Sequence, residues 1–375
     1  MLFEIGKALQ PLFNFQCGVH LSLYLDAKDQ EPREQIYDAI DQARVYLERA
    51  MTEVEQDAYL KPLINLAEDK HMLAQMKDCL GIFLNERSVR IIRIPFQVNP
   101  VLVVATSFHI KPLLKWLQID RRFLVLGIRD EGLSLYDGTL TNIRKVDLAY
   151  ELEEHDLALK AELRRRDCVE LGACLEFDMD IVRRKLNAIR RKSDVPLYII
   201  GDSSLRDKVV RTLAYPQKST IHWHTAYDDC QIDQLCDEIR KTLKMKADFD
   251  FEEKLEEFMV ATQLGKTNTR IDQIAYVATQ GGVERLFVSE DLMLFGRIEP
   301  ATGRITLHDR HRDHEDDDVL DDIAQIVLSK GGEVVVTPQS RMPGGGPVAA
   351  VFKYSGREGG DAIMLAKPPE FAISA

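Results

Sequence analysis

A surplus of positive charge is missing from this chain. In 375 residues, 49 lysines and arginines stand against 61 aspartates and glutamates, a formal net charge of −12. Phosphate neutralisation supplies most sequence-independent affinity for nucleic acid. A protein that coats RNA or DNA over its whole surface is therefore excluded, and any such contact must come from a local basic island. Cysteine is scarce: there are six, with no closely spaced pair. That excludes a disulfide framework and points to a reducing compartment, so a cytoplasmic protein is expected. No stretch approaches the ~20 apolar residues of a bilayer crossing. The longest apolar runs, Phe123 to Ile128 and Val195 to Ile200, are strand-length. The opening MLFEIGKALQ carries Glu4 inside its apolar segment and no basic n-region, so it does not read as a signal peptide.

Catalytic signatures are missing too. There is no Gly-x-Ser-x-Gly elbow and no His-Glu-x-x-His. Gly265-Lys266-Thr267 matches the end of a phosphate-binding loop, but Val260 stands where that loop needs glycine, and a helical pattern precedes it. No catalytic residue, metal or small-molecule cofactor is assigned. The oligomeric state is not legible.

What is present is a globular composition, 45% apolar and 29% charged, on a chain long enough for two or three domains. The first 80 residues read as mainly helical around a short strand, Val19 to Leu25. Ile36, Ile40, Ala43 and Leu47 repeat at helical steps. From Gly81 the period becomes two, and GIFLNERSVRIIRI and PVLVVATSF read as strands. RFLVLGIR, GLSLYDG and IRKVDL follow as a meander. Next come helices over Asp178 to Lys192, Ser204 to Ala214 and Asp229 to Leu243, alternating with strands at VPLYIIGD and near Ile221. KMKADFDFEEKLEEF reads as a linker-like helix. After it, Thr269 to Asp272 reads as a capping box. Helices ending at Gly281-Gly282 and Gly331-Gly332 each lead into a strand. The expected fold class is mixed α/β and multidomain, with boundaries at 1–120, 121–247 and 248–375.

The acid- and histidine-rich HDRHRDHEDDD, from His308 to Asp318, reads as a solvated loop whose acids favour the start of the next helix. A metal site there would need rigid ligand spacing, which is absent. His222 and His224 with Cys230 lack the further ligands that zinc requires. His109 reads as a turn or packing residue. The loop Met342, Pro343, Gly344, Gly345, Gly346, Pro347 reads as a wide, flexible connection suited to touching a large partner.

The basic island exists. Between Lys160 and Lys192 ten basic residues face six acids. Arg183, Arg184, Arg190 and Arg191 fall seven apart in pairs, on one helical face. Together with Arg164, Arg165 and Arg166 they are the candidate RNA-binding residues.

TRIDQIAYVATQGGVERLFVSED (Thr269 to Asp291), VLDDIAQIVLSKGGEVVVTP and RMPGGGPVAAVFKY (Arg341 to Tyr354) resemble the third domain of the archaeal and eukaryotic class one release factors and their ribosome-rescue relatives. GIFLNERSVRIIRIP, FHIKPLL and RRFLVLGIRDEGLSLYDGT are similar to the bacterial archaeo-eukaryotic release factor group, in particular its third family. The resemblance covers roughly residues 75 to 354. It implies an N-terminal domain, an RNase H-like middle domain and a C-terminal module of the kink-turn-binding kind. It also implies partnership with the ribosome or peptidyl-tRNA. The family's Gly-Gly-Gln tripeptide is absent: Gln280-Gly281-Gly282 is reversed, and Asp167 to Phe177 holds Gly172 alone. Gly265 and Asn268 match part of a kink-turn motif in which Thr269 replaces the acid.

The expected role is therefore release-factor-like ribosome or tRNA association by binding without hydrolysis. Two alternatives stand beside it. One is a hydrolase of peptidyl-tRNA or nucleic acid using Asp130, Asp137 and Asp202; the other is a protein-interaction scaffold.

Overall fold

The computed structural model describes residues 12, 18–26, 32–74, 79–94, 96–119, 122–129, 132–139, 143–146, 195–201, 220–223 and 232–354, with isolated helical positions between 179 and 213. They form a mixed α+β, multidomain protein. It divides into two compact units. One runs from Ile119 to Phe249, and the other joins the chain up to Gln118 with the chain from Asp250 onward.

The N-terminal part begins with β1 (His20–Leu25), α1 (Pro32–Leu47), α2 (Glu53–Glu68) and the short α3 (Lys70–Ala74). The apolar stripe of α1 is buried at Ile36, Ile40, Ala43 and Leu47. A capping box starts α2, where Thr52 and Glu55 exchange side-chain and backbone hydrogen bonds. After β2 (Cys79–Asn85) comes β3 (Ser88–Ile94), then β4 (Val101–Ala105) and α4 (Lys111–Ile119). The GIFLNERSVRIIRI segment is thus a hairpin. Asn85 Oδ1 accepts from the Arg87 and Ser88 amides at 3.0 and 2.9 Å, closing the turn. The sheet order is β3-β2-β1-β4, antiparallel throughout. Strand alternation sends Leu21, Leu23, Leu80, Ile82 and Leu84 toward α1 and α2, and Tyr24 and Phe83 to the opposite face.

The middle unit holds β5 (Phe123–Arg129), β6 (Gly132–Gly138), β7 (Ile143–Lys145), β8 (Leu197–Gly201) and β9 (Thr220–Trp223), in the order β7-β6-β5-β8-β9. The meander of β5, β6 and β7 is antiparallel, while β8 and β9 run parallel to β5. Helices cover both faces. Leu124, Leu126, Leu197 and Ile199 pack with Met179, Val182 and Leu186, and Val125, Tyr198 and Ile200 pack with Cys236 and Ile239. The helix expected to end near Leu243 and the linker-like helix after it are one element, α5 (Ile232–Gln263). Neither proline nor a glycine stop interrupts it before Gly265.

The C-terminal part continues with β10 (Thr267–Asn268), α6 (Ile271–Thr279), β11 (Val283–Ser289), β12 (Phe295–Ile298), β13 (Ile305–Leu307), β14 (Asp317–Asp318), α7 (Val319–Ser329), β15 (Glu333–Thr337) and β16 (Val348–Phe352). The main sheet is ordered β10-β16-β11-β15, with β11 parallel to β15. Both Gly-Gly stops are Schellman turns. The Gly281 and Gly331 residues take φ of 72° and 78°, and the Gly282 and Gly332 amides reach back to Val277 and Val327 carbonyls. The expected capping box at Thr269 to Asp272 is absent. Asp272 instead pairs with the Arg270 guanidinium at 2.8 Å, because Arg270 occupies the cap position.

On one face of this sheet, Phe251, Phe258 and Ala261 of α5 cover Phe287, Val335 and Ala349. On the other, α6 and α7 are packed into a core continuous with the N-terminal sheet. Tyr24, Phe83, Phe108, Ile110 and Leu113 join Ile274, Leu286, Leu320, Ile323 and Val348 there. Each such side chain stabilises by roughly 1.5–3 kcal/mol when buried. The first and last parts of the chain are therefore one structural body.

Candidate functional site

The densest polar chemistry in the described residues lies inside that body. From Val319 to Val327 every residue of α7 is buried, so the helix is enclosed on all sides. Most of it is apolar, but Asp318, Asp321, Asp322 and Gln325 fall at steps of three, one and three. That spacing is one helical stripe made polar. It faces residues 104–111, which supply the missing donors.

Thr106 donates to Asp317 from its amide (2.9 Å) and its hydroxyl (2.5 Å). The Ser107 hydroxyl donates to Asp322 at 3.2 Å, and the Ile110 amide to both oxygens of Asp321 at 3.2 and 3.1 Å. Gln325 Nε2 donates to the Phe108 carbonyl at 3.0 Å and to Asp321 at 2.9 Å. Lys111, only 2% exposed, reaches Asp318 at 2.8 Å and the Leu292 carbonyl at 2.5 Å. Asp318 also caps α7 by accepting from the Leu320 amide. His109 lies 3.7 Å from Asp318 and 3.9 Å from Asp321 through Nδ1, while its backbone is held by Ser22 and Tyr24.

Burial dominates the electrostatics. It raises Asp317 to about 6 against the hydrogen bonds from Thr106 and Ser107, with Asp318 adding to the rise. Asp322 is pushed well up by burial and by the charges of Asp317, Asp321 and Asp318. Asp321 rises by burial despite His109 nearby. Burial also pushes His109 below the usual imidazole range, against the pull of Asp321 and Asp318. The cluster is thus a buried, hydrogen-bonded lock between two parts of the chain. Its groups are enclosed, so it fastens structure and does not meet a substrate.

This overturns the solvated reading of His308 to Asp318. Asp316, Asp317 and Asp318 are buried, as is Asp313. The physical reason is the supply of partners. His308 Nδ1 lies 2.9 Å from both Asp316 oxygens, Arg297 reaches Asp313 and Asp316, and Arg49 binds Asp313 at 2.8 Å. His311 is stacked between Tyr46 and Phe295, at 4.0 and 5.0 Å between ring centroids, with Nε2 2.9 Å from the Val104 carbonyl. Among the described residues no three His, Cys, Asp or Glu side chains group as metal ligands.

The 342–347 loop is not a slack connection. Pro343 to Gly345 form a tight 3₁₀ turn in which Gly344 and Gly345 take φ of 76° and 70°. Gln339 Nε2 donates to the Gly345 and Gly346 carbonyls at 2.9 and 3.2 Å, and the Gln339 amide donates to Asp291. Met342 is buried against Phe251 and Phe287, whereas Gly344 and Gly345 are exposed. Arg341 lies over the Phe251 ring at 4.2 Å and pairs with Glu252 at 2.7 Å.

Arg183 and Arg184 are exposed beside buried Ile181 and Val182. Arg164, Arg165, Arg166, Arg190 and Arg191 lie outside the described residues, as do Asp130, Asp202, His224, Cys230 and the His222 side chain. Asp137 is held by Arg122 at 2.8 and 3.0 Å and by Arg144 at 3.0 Å. Burial raises it, but the two guanidiniums more than offset this and hold it below the ordinary carboxylate range. Two bound cations leave that carboxylate poorly suited to a metal. Lys111, Asp321, Asp322 and Gln325 received no role from the sequence, although the polar stripe within an apolar helix was its one available signal.

No family model matches the chain, and no curated protein matches it. Among solved structures it overlaps ribosome-bound archaeal Pelota at 11% identity, over 93% of this chain and 94% of that one, with a TM-score of 0.41. The archaeal translation termination factor aRF1 matches at 13% identity over 94% and 97%, with a TM-score of 0.24. The Saccharomyces cerevisiae termination-like factor Dom34 matches at 11% over 74% and 79%, with a TM-score of 0.34. Overlaps of this size assign neither activity nor ligand. No helix of the described residues is long and apolar enough to cross a membrane.

Proposed function

We propose that this protein is a release-factor-like translation factor of the bacterial archaeo-eukaryotic release factor group. It associates with the ribosome or tRNA by binding and does not hydrolyse peptidyl-tRNA through a Gly-Gly-Gln loop. The observation that carries this reading is the ordered run from Thr269 to Tyr354, whose glycine-stopped helices and Gly-rich turn fold as one layered module. The RNase H-like reading of the middle unit is supported by its sheet, an antiparallel meander extended by two parallel strands. The missing tripeptide supports binding over hydrolysis.

Charge supports the reading as well. Asp317, Asp318, Asp321 and Asp322 are buried in the lock that holds Lys111, and Asp316 is buried against His308 and Arg297, so these carboxylates make no direct contact with a polyanion. Gly344 and Gly345 offer an exposed, hydrogen-bonded turn for a partner.

The test is sedimentation of the full chain with ribosomal particles over a salt series. Co-sedimentation should weaken as salt rises. It should fall at least tenfold on Arg183→Glu, Arg184→Glu, Arg190→Glu and Arg191→Glu together. Absence from ribosomal fractions at low salt overturns the association, and a salt-independent signal overturns the phosphate contact.

A further inference from the structure

The outer strand of the N-terminal sheet carries a second message, independent of the reading above. Along its whole length β3 pairs with β2, from Ser88 opposite Asn85 to Ile94 opposite Cys79. Among the described residues no strand pairs with its other edge. This seven-residue strand thus presents, among the described residues, an unpaired row of backbone donors and acceptors, the arrangement that accepts an added strand. Its neighbour β2 is buried throughout, whereas β3 is exposed at five of seven positions.

The side chains on this edge are unusual. Val89 and Ile91 are 44% and 37% exposed and lie on one face of the strand. Arg87, Arg90 and Arg93 are exposed, and none of their guanidiniums has an ion pair or hydrogen-bond acceptor among the described residues. Arg87 sits in the hairpin turn, and Arg90 and Arg93, about 10 Å apart along the strand, flank its two faces, in a chain whose net charge is −12. In the C-terminal part Arg285 is by contrast paired with Glu333 and Glu257, and Arg297 with Asp313, Glu315 and Asp316.

We infer that the β3 edge is a docking strand for an extended, acidic segment of a partner protein. Main-chain hydrogen bonds would add the segment to the sheet, alternate apolar side chains would cover Val89 and Ile91, and carboxylates would take the guanidinium forks. A second copy of the chain fits poorly, since pairing β3 with β3 sets arginines against arginines. Nucleic acid would neutralise the arginines but leave the strand's backbone row and its two apolar side chains without protein partners.

The experiment uses a fluorescent nine-residue peptide of alternating glutamate and valine, titrated into the full chain and read by anisotropy. A lysine–valine peptide, a glutamate–valine peptide with a central proline, and a uridine dodecamer serve as comparison probes. The glutamate–valine peptide should bind, and the lysine and proline peptides at least tenfold more weakly. Arg90→Glu with Arg93→Glu should lower affinity at least tenfold, and hydrogen exchange at residues 88–94 should slow on binding. No binding would overturn the inference and leave the arginines as a guard against edge association. Binding without slowed exchange would reduce it to charge adhesion and overturn the strand docking. Tighter binding of the uridine dodecamer, lost in the same variant, would reassign the edge to nucleic acid.

Discussion

Replacing Lys111 with methionine is expected to be among the most damaging single changes in the N- and C-terminal unit. The ammonium sits 2.8 Å from Asp318, and both residues are almost wholly buried. At the effective dielectric that describes protein sites, that pair attracts by about 6 kcal/mol before desolvation is counted. Methionine keeps the stem's volume, so the loss is mainly electrostatic. Asp318 would be left without its cation in a cluster that already holds Asp317, Asp321 and Asp322. Breaking a buried pair from one side costs roughly 3–5 kcal/mol, and that is the loss expected here. Adding Asp318→Asn removes the stranded charge, while the amide oxygen can still cap α7. The double variant should therefore recover about 2 kcal/mol or more. Trp116 packs against the shared core and reports unfolding of this unit. The chain has only two tryptophans, so Trp223→Phe isolates its fluorescence in a urea titration. A cost for Lys111→Met below about 1 kcal/mol, or a double variant less stable than the single, would refute the reasoning.

Two further outcomes follow from the same geometry. The folded Asp317 carboxyl titrates near 6 in place of 3.8, so its stabilising contribution is complete below pH 3.8 and is lost as pH rises through 6. At 1.36 kcal/mol per unit that amounts to about 3 kcal/mol. Asp317→Asn lacks the titration, so the wild-type advantage should shrink by most of that amount between pH 4 and 7, and parallel stability–pH curves would contradict it. Gly303 and Gly331 both take left-handed φ, but a Cβ at Gly303 would lie 2.7 Å from the Ala275 carbonyl and Tyr276, whereas nothing lies within 4 Å at Gly331. Gly331→Ala should cost roughly 1–2 kcal/mol and Gly303→Ala clearly more; equal losses in thermal unfolding would refute the clash.

The elements that announced themselves in the sequence were those with local causes. The α1 stripe, the β5–β7 meander and both Gly-Gly stops follow from period, turn chemistry and the left-handed preference of glycine. The capping box at Thr52 and Glu55 has the same local signature as Thr269 to Asp272, where Arg270 takes the cap position instead. The buried acids were not readable in the same way. A run such as His-Glu-Asp-Asp-Asp normally stays in water because burying a charge is expensive. Donors to Asp317 and Asp318 come from Thr106, Ser107 and Lys111, more than 200 positions earlier, and no local pattern records them. The stripe of Asp318, Asp321, Asp322 and Gln325 on an otherwise apolar helix was the sole hint. Likewise, the N-terminal sheet alternates as any two-faced sheet does, and nothing in it names the C-terminal helices as the cover of its second face.

A ribosome makes this chain in one direction, and the shared core imposes an order on that process. Tyr24, Phe83, Phe108 and Lys111 leave the exit tunnel long before α7 exists. At typical synthesis rates of ~5–20 residues per second, the 211 positions between Thr106 and Asp317 occupy on the order of 10–40 s. Throughout that interval a greasy sheet face and an unpaired lysine await closure, so the nascent chain offers holding chaperones a target that disappears only when its final quarter arrives.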